Sequence, residues 1–586
     1  MLVYEKGMDL VLLPKSTSDH STRSQLPYLI GLILISILVG LPLLQGKFIG
    51  GHDSILYPPR FIEFVQGLRS LQWFPRWAPD LSSGYGQPFF IYNPPLLYYV
   101  VGLINISGVG LFNSINTALL MVIFSSALGM YLLASEFIGP KAGLAAATAY
   151  IFAPYFLVNL YARAAWSDFI AFSCIPFLFW SIYRFANEGQ YRFFMISTIS
   201  MTLLMLSSNH ISLITVPFVL ILISWNAYIQ RNWKVLWRGF IPLAFGLGLS
   251  AFFWLPAIID MRYVHLEREI GSNFDYHDHF IFPRQLFSSY WGYGGSVAGP
   301  DDKMSFSIGP VHVILVIILI PFLWKIWKSS KSIGWWFIFM LLVITVSIFF
   351  ATSISEPIWE RLPLIKSLQF PWRFLTLVVF SSSFIASFPF ILISHGNRLL
   401  SNLVLFTIIA TIIMLGLPNA RPPMYHDLTE SDWRSGTIIN HNLKVNHIDM
   451  FEPIWVRKKP NVPAISLFTM LKGQGVITAT RLSPTHLQAN IELQLPSSLR
   501  ANVNYYPGWE LYVNGDKHKF SFDNAYGNIE FNLEPGRHHI DLVFTNTPLR
   551  LWSEWFSLFF LILIIIMSVS VGMFKGQPFS SAMYRN

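Results

Sequence analysis

The chain is punctuated by apolar runs of about 17 to 25 residues, the length an α-helix needs to cross the hydrocarbon layer of a bilayer. Along the 586 residues these runs give candidate spans at 26–45, 115–137, 142–160, 166–185, 193–208, 210–229, 239–258, 308–328, 333–352, 372–393, 399–417 and 552–574, about twelve in all. A sequence that is 53% hydrophobic, 16% aromatic and only 12% charged cannot hide its apolar surface in ordinary soluble domains. It therefore predicts a mainly α, polytopic membrane protein. Residues 1–25 are polar and mixed in charge, and no small-residue cleavage pattern follows "QLPYLIGLILISILVGLPLL". The first span is expected to stay as an uncleaved anchor.

Positive charge sets the expected orientation. With the tails 1–25 and 575–586 inside, the short inner loops carry Lys141, then Arg184 and Arg192, then Arg231, Lys234 and Arg238, then Lys325, Lys328 and Lys331, then Arg398. Much of the formal net charge of +9 is used this way, and no basic stripe interleaved with aromatics points to nucleic acid. The long segments 46–114, 259–307, 353–371 and 418–551 then fall on the opposite, extracytoplasmic side of the transmembrane region 26–417. The apolar stretch "PPLLYYVVGLINISG" at 94–108 is short and starts with two prolines, so it is expected to lie at the interface. The single cysteine, Cys174, excludes a disulfide framework and a Cys-based metal site.

Within 418–551 the hydrophobic period changes from 3.6 to two. In "HLQANIEL" Leu487, Ala489, Ile491 and Leu493 alternate with polar neighbours, and "WELYVNG" ends in an Asn514–Gly515 hairpin signal. A small β-sandwich is expected here, before the last helix.

The outer segments concentrate the residues that can do chemistry. Asp53, in "FIGGHDSILYPPRF", can open a helix as its N-cap or serve as a general base at the lip of the first span. Its neighbour His52 can orient or tune that carboxylate. In "LYARAAWSDFIAF", Arg163 can snorkel or clamp a phosphate, and Asp168 can cap a helix or act as a second acid. Lip-level charges cost about 2.5 to 3.5 kcal/mol on insertion scales and so commonly have a partner or a task. His210 stands at another expected outer turn, and Arg373, behind Pro371 and Trp372, can anchor at the interface or neutralise a lipid phosphate. Arg76, Trp77, Tyr85 and Tyr92 are candidate substrate contacts, with the interfacial aromatic belt as the alternative for the rings. The run His277–Asp278–His279 superficially resembles a metal cluster, but adjacent side chains diverge and no spaced ligand set follows. His279 is instead expected to help orient a polar substrate. A divalent metal stays open as a cofactor, with none required by the sequence.

The stretch "GHDSILYPPRFIEFVQGLRSLQWFPRWAPDLSSGYGQPFFIYNPPLLYYVVGL" resembles the first outer loop of the membrane family described as 6-pyruvoyl-tetrahydropterin synthase-related, close to the YfhO-like bacterial proteins. "LYARAAWSDFIAF", "FPRQLFSSYWGYG", "LQFPWRFLTL" and "YYPGWELYVNGDKHKF" extend the resemblance over most of the chain. These families are similar to the GT-C glycosyltransferases, which use polyprenyl-phosphate-linked donors. The resemblance implies a catalytic carboxylate at Asp53 and a second acid at Asp168, though the Ala after Arg163 and the Asp depart from the family's commoner Gly and Glu. It also implies a lipid-linked sugar donor and an extracytoplasmic acceptor as partners. No P-loop or Rossmann glycine motif is present to hold a nucleotide sugar. The rival readings are a transporter or flippase for a lipid-linked glycan and a non-catalytic scaffold whose β-domain binds glycan.

Overall fold

The computed structural model describes residues 25–265, 274–393, 397–427, 429–434, 451–460 and 462–573. Among these, nine helices are long and apolar enough to cross a membrane: Leu26–Gln45, Leu111–Ile138, Trp166–Glu188, Asn209–Gln230, Pro310–Ser329, Lys331–Ala351, Pro371–Leu392, Arg398–Asn419 and Pro548–Ser570. Two further runs are broken rather than straight. Pro140–Phe152 turns by 50° into Pro154–Ala162, and Trp233–Leu249 turns by 72° into Ala251–Tyr263. Pro154 causes the first break, because it forces Ala153 out of the helical region to ψ 135°. The run expected at 193–208 forms the shorter helix Tyr191–Ser207, so the twelve expected spans become nine, or eleven when each bent pair counts once. The stretch at 94–108 forms the short apolar helix Leu96–Ile106.

Capping explains where several helices start. Ser208 accepts a hydrogen bond from the Ile211 amide, Ser330 from Ile333 and Asn397 from Leu400, each satisfying an amide that the helix itself leaves free. Trp166–Glu188 and Pro371–Leu392 are mostly buried, whereas Pro310–Ser329, Arg398–Asn419 and Pro548–Ser570 expose most of their apolar surface. The bundle thus has an inner pair and an apolar rim.

The β-domain lies before the last helix, as expected. Its strands run from Phe468 to Phe544, in a five-stranded antiparallel sheet (475–483, 486–493, 536–544, 509–513, 516–518) and a three-stranded one (468–472, 497–504, 528–533). Leu487, Ala489, Ile491 and Leu493 all point into the core between the sheets, where Leu499, Leu511, Phe531, Ile540 and Leu542 meet them. Asn514 and Gly515 both take positive φ, 54° and 92°, which is the two-residue turn a tight hairpin needs. The strand Tyr425–His426 lies apart from these sheets and pairs antiparallel with Phe48–Ile49, next to the lip of the first span. The last helix begins at Pro548, slightly before the expected 552.

Candidate active site

Four structural elements converge beside Asp53. Gly50 N donates to Met424 O (2.8 Å), His52 N to Ala162 O (3.0 Å) and Asp53 N to Arg163 O (2.9 Å), so the loop after the first span is laced to the turn around 162–163. That turn is unusual. Val158–Ala162 forms a π-helical turn, and Ala164 follows with φ 51°, in the left-handed region. The close approach needs a glycine at 51, where a Cβ would meet Ala164 Cβ at 2.7 Å and Tyr161 O at 2.9 Å.

The turn delivers Arg163 into a buried ion cluster. Asp168 Oδ2 accepts from Arg163 Nη2 (3.3 Å) and Arg373 Nε (3.1 Å), and Oδ1 accepts from Ser208 Oγ (2.7 Å). Arg163 also donates to Asn159 Oδ1 and lies 4.3 Å from the centre of the Trp372 ring. Arg373 donates to Leu368 O and lies 5.0 Å from the Phe370 ring. The carboxylate of Asp168 is therefore fully engaged, and two guanidiniums share its single charge. Both arginines and Asp168 are buried.

Asp53 differs. No donor among the described residues lies within hydrogen-bond or ion-pair range of its half-buried carboxylate. Burial pushes its carboxyl above the usual carboxylate range, against the pull of Arg163, His52 and Arg60. His52 donates from Nε2–H to Tyr293 O (2.9 Å).

All of these groups line one cavity of about 820 Å³. Its polar part holds His52, Asp53, Arg60, Arg163, Asp168, His210, His279, Lys366 and Arg373. Its apolar part is walled by Met201, Met205, Leu213, Val216, Leu247, Trp254, Ile258 and Met261. Asp168, His210 and Arg373 stand in the first turns of their helices, so three helix N-termini converge on the polar part. His279 Nδ1 is bonded to Ser296 Oγ (2.9 Å) and its ring meets Phe370 edge-on.

Eight of the eleven residues singled out in the sequence thus share this cavity: His52, Asp53, Tyr92, Arg163, Asp168, His210, His279 and Arg373. The other three do not. Arg76 is paired with Glu554 (2.7 Å) of the last helix, Trp77 packs edge-on against Trp509 of the β-domain, and the Tyr85 carbonyl accepts from Asn504 N (2.8 Å). All three are buried, Trp77 and Tyr85 against the β-domain and Arg76 between Phe252 and the last helix, and none lines the cavity. Sequence reasoning missed Arg60 and Lys366. Arg60 stands one helical turn past the Tyr57–Pro58–Pro59 start, its guanidinium 4.6 Å from the Phe89 ring, and its signal was the basic residue inside "YPPRF". His277 does not join His279. Its ligand-capable atom instead lies within 4.8 Å of carboxylate oxygens of Glu356 and Glu360, at the surface, and Asp275 is bonded to the same ring.

No family model matches the chain. An uncharacterized protein of Lactococcus lactis subsp. cremoris is 25% identical over 267 residues, which is 42% of this chain and 41% of that one. Three solved structures align with part of the chain. ArnT from Cupriavidus metallidurans, bound to undecaprenyl phosphate, aligns with TM-score 0.36 at 13% identity over 63% of this chain and 60% of its own. The arabinofuranosyltransferase AftD from Mycobacteria aligns with TM-score 0.44 at 14% identity over 72% and 29%. The Archaeoglobus fulgidus oligosaccharyltransferase aligns with TM-score 0.40 at 14% identity over 69% and 56%. The chain spans less than two thirds of each of these proteins.

Proposed function

We propose that this chain is a GT-C-type membrane glycosyltransferase that moves a sugar from a polyprenyl-phosphate-linked donor to an extracytoplasmic acceptor. One observation carries the reading: an unengaged carboxylate, Asp53, shares a cavity with two guanidiniums that have one carboxylate between them, and much of the remaining lining is apolar. Such a space suits a ligand with a charged head and a hydrocarbon tail. The sequence resemblance to the YfhO-like group points the same way.

In this mechanism Arg163 and Arg373 hold the donor phosphate, supported by the helix N-termini beside them. Asp53 takes the proton from the acceptor hydroxyl as its oxygen bonds to the anomeric carbon. The bond between that carbon and the phosphate oxygen breaks, the polyprenyl phosphate leaves, and the anomeric configuration inverts. Asp168 is a positioning acid here, because its oxygens are occupied by the groups it orients. His52 and Arg60 flank the base, while His210, His279 and Tyr92 shape the pocket around the sugar. On this reading the β-domain and the cavity are extracytoplasmic, and the basic short loops and both tails are cytoplasmic.

The test uses the full chain in liposomes with a polyprenyl-phosphate sugar. The wild-type protein is expected to transfer the sugar and Asp53→Asn to bind the donor without transferring it. Wild-type activity in that variant overturns the role of Asp53. Donor translocation across the bilayer without sugar transfer overturns the enzyme reading in favour of a flippase.

A further inference from the structure

The cavity has walls of different origin. Part of its lining comes from outer loops and short outer helices and part from straight spans, but Trp254, Ala257, Ile258 and Met261 come from the half-helix beyond the 72° break. That half-helix has no continuous helical spine behind it. Its position is fixed from the other side. Ser557 Oγ of the last helix accepts from Phe252 N (2.8 Å) and donates to Gly248 O (3.0 Å), straddling the break.

At its far end, Asp260 Oδ2 accepts from Nε of Arg550 (3.1 Å), in the first turn of the last helix, and lies 3.1 Å from its Nη2. The Asp260 carbonyl accepts from Tyr92 Oη (2.7 Å), which is itself bonded to Tyr506 Oη of the β-domain (2.6 Å). Arg550 Nη1 donates to Pro507 O (2.9 Å), and the guanidinium lies 5.1 Å from the centre of the Tyr506 ring. Tyr92, Asp260, Tyr506 and Arg550 are all buried. Tyr92 stacks on Phe451 at 4.9 Å, and both rings face the cavity.

A buried Arg–carboxylate pair with shared neighbours gains little net stability over a hydrophobic contact, but this one fixes geometry because Arg550 bonds Asp260 through Nε and Pro507 O through Nη1. We infer that Arg550 and Tyr506 are positioning residues that set the apolar wall of the cavity through Asp260 and Tyr92. The β-domain and the last helix thereby determine the shape of the apolar wall that would meet the lipid. This rests on the donor reading for its kinetic consequence only, since the placement of the wall can be measured without a donor.

The reporter is a thiol introduced by Ala257→Cys, a buried wall position, in a chain whose native cysteine, Cys174, is also buried. In the full-length protein, Tyr506→Phe and Arg550→Lys are each combined with this reporter. The first removes only a hydroxyl, and the second keeps the charge but cannot bond Asp260 and Pro507 O together as Nε and Nη1 do. Maleimide labelling at position 257 is expected to speed up about fivefold or more in both variants. KM for a polyprenyl-phosphate donor should rise with kcat unchanged, while the unfolding temperature of Tyr506→Phe stays near the wild-type value. Unchanged labelling in both variants overturns the inference. So does faster labelling that appears only with a matching loss of thermal stability, which marks a purely structural clamp. If the wild-type chain binds no polyprenyl phosphate, the donor reading fails while the labelling still decides the wall.

Discussion

Asp53 N donates to Arg163 O at 2.9 Å, so the proposed base and the proposed phosphate clamp are joined through their main chains rather than their side chains. The link holds the two side chains in register while leaving the carboxylate of Asp53 open.

Because that carboxylate holds no partner, Asp53→Asn should fold and bind donor normally. Sugar transfer should drop by about 10² to 10⁴, the usual worth of a positioned base. Burial raises its carboxyl, so activity should fall away on the acid side at a pH above the ordinary carboxylate range. Steady-state transfer rates across pH check both points.

Asp168→Asn should behave in the opposite way. It strips from two buried guanidiniums the carboxylate they share, and breaking such a pair costs about 3 to 5 kcal/mol. Thermal unfolding should show a clear loss of stability, and Asp168→Asn combined with Arg373→Gln should lose less than the sum of the single changes.

Gly51→Ala tests the main-chain lacing. The added methyl would press on Ala164 Cβ and Tyr161 O and push Asp53 away from the 162–163 turn. Misplacement of about 1 Å in a catalytic group costs about 10²-fold. The expected result is a fall in kcat, and a wild-type kcat would show that the lacing does not matter for chemistry.

Glu63 gives a pH signature. Its Oε1 accepts from Asp80 N (2.8 Å), Oε2 has no partner, and Arg481 of the β-domain faces it across the Asp80 carboxylate. Burial, reinforced by Asp80, holds its carboxyl well above the usual glutamate range. Below that range both the folded and the unfolded chain carry the proton. As pH rises, the unfolded chain releases it first, so the stability contributed by this group declines until pH passes the folded value. Glu63→Gln should flatten this decline in thermal-unfolding series from pH 5 to 8.

The sequence made some of this architecture legible and hid the rest for physical reasons. Leu487, Ala489, Ile491 and Leu493 announce their sheet because a strand's side chains alternate by geometry alone. Asp53, Arg163, Asp168, His210 and Arg373 were readable as a group because charge at the lip of a span is costly wherever it occurs. Arg76, Trp77 and Tyr85 carry the same local signal, but Glu554, Trp509 and Asn504 claim them from more than 400 residues away. Hydropathy also cannot distinguish a straight span from Trp233–Leu249 and Ala251–Tyr263, since the 72° break leaves the apolar run intact.

The π-helical turn at Val158–Ala162 bears on how such a sequence can drift. A π turn is an α-helix carrying one surplus residue, and each residue of an α-helix advances the chain by about 100°. Deleting any one residue between 158 and 162 would restore a regular helix and swing Arg163 about a quarter-turn away from Asp168 and Trp372. Apart from Asn159, which accepts from Arg163, and Tyr161, which donates to Val39 O, the side chains of this stretch are limited by packing alone, while its length is fixed. Insertions and deletions, more than substitutions, are the changes this turn forbids.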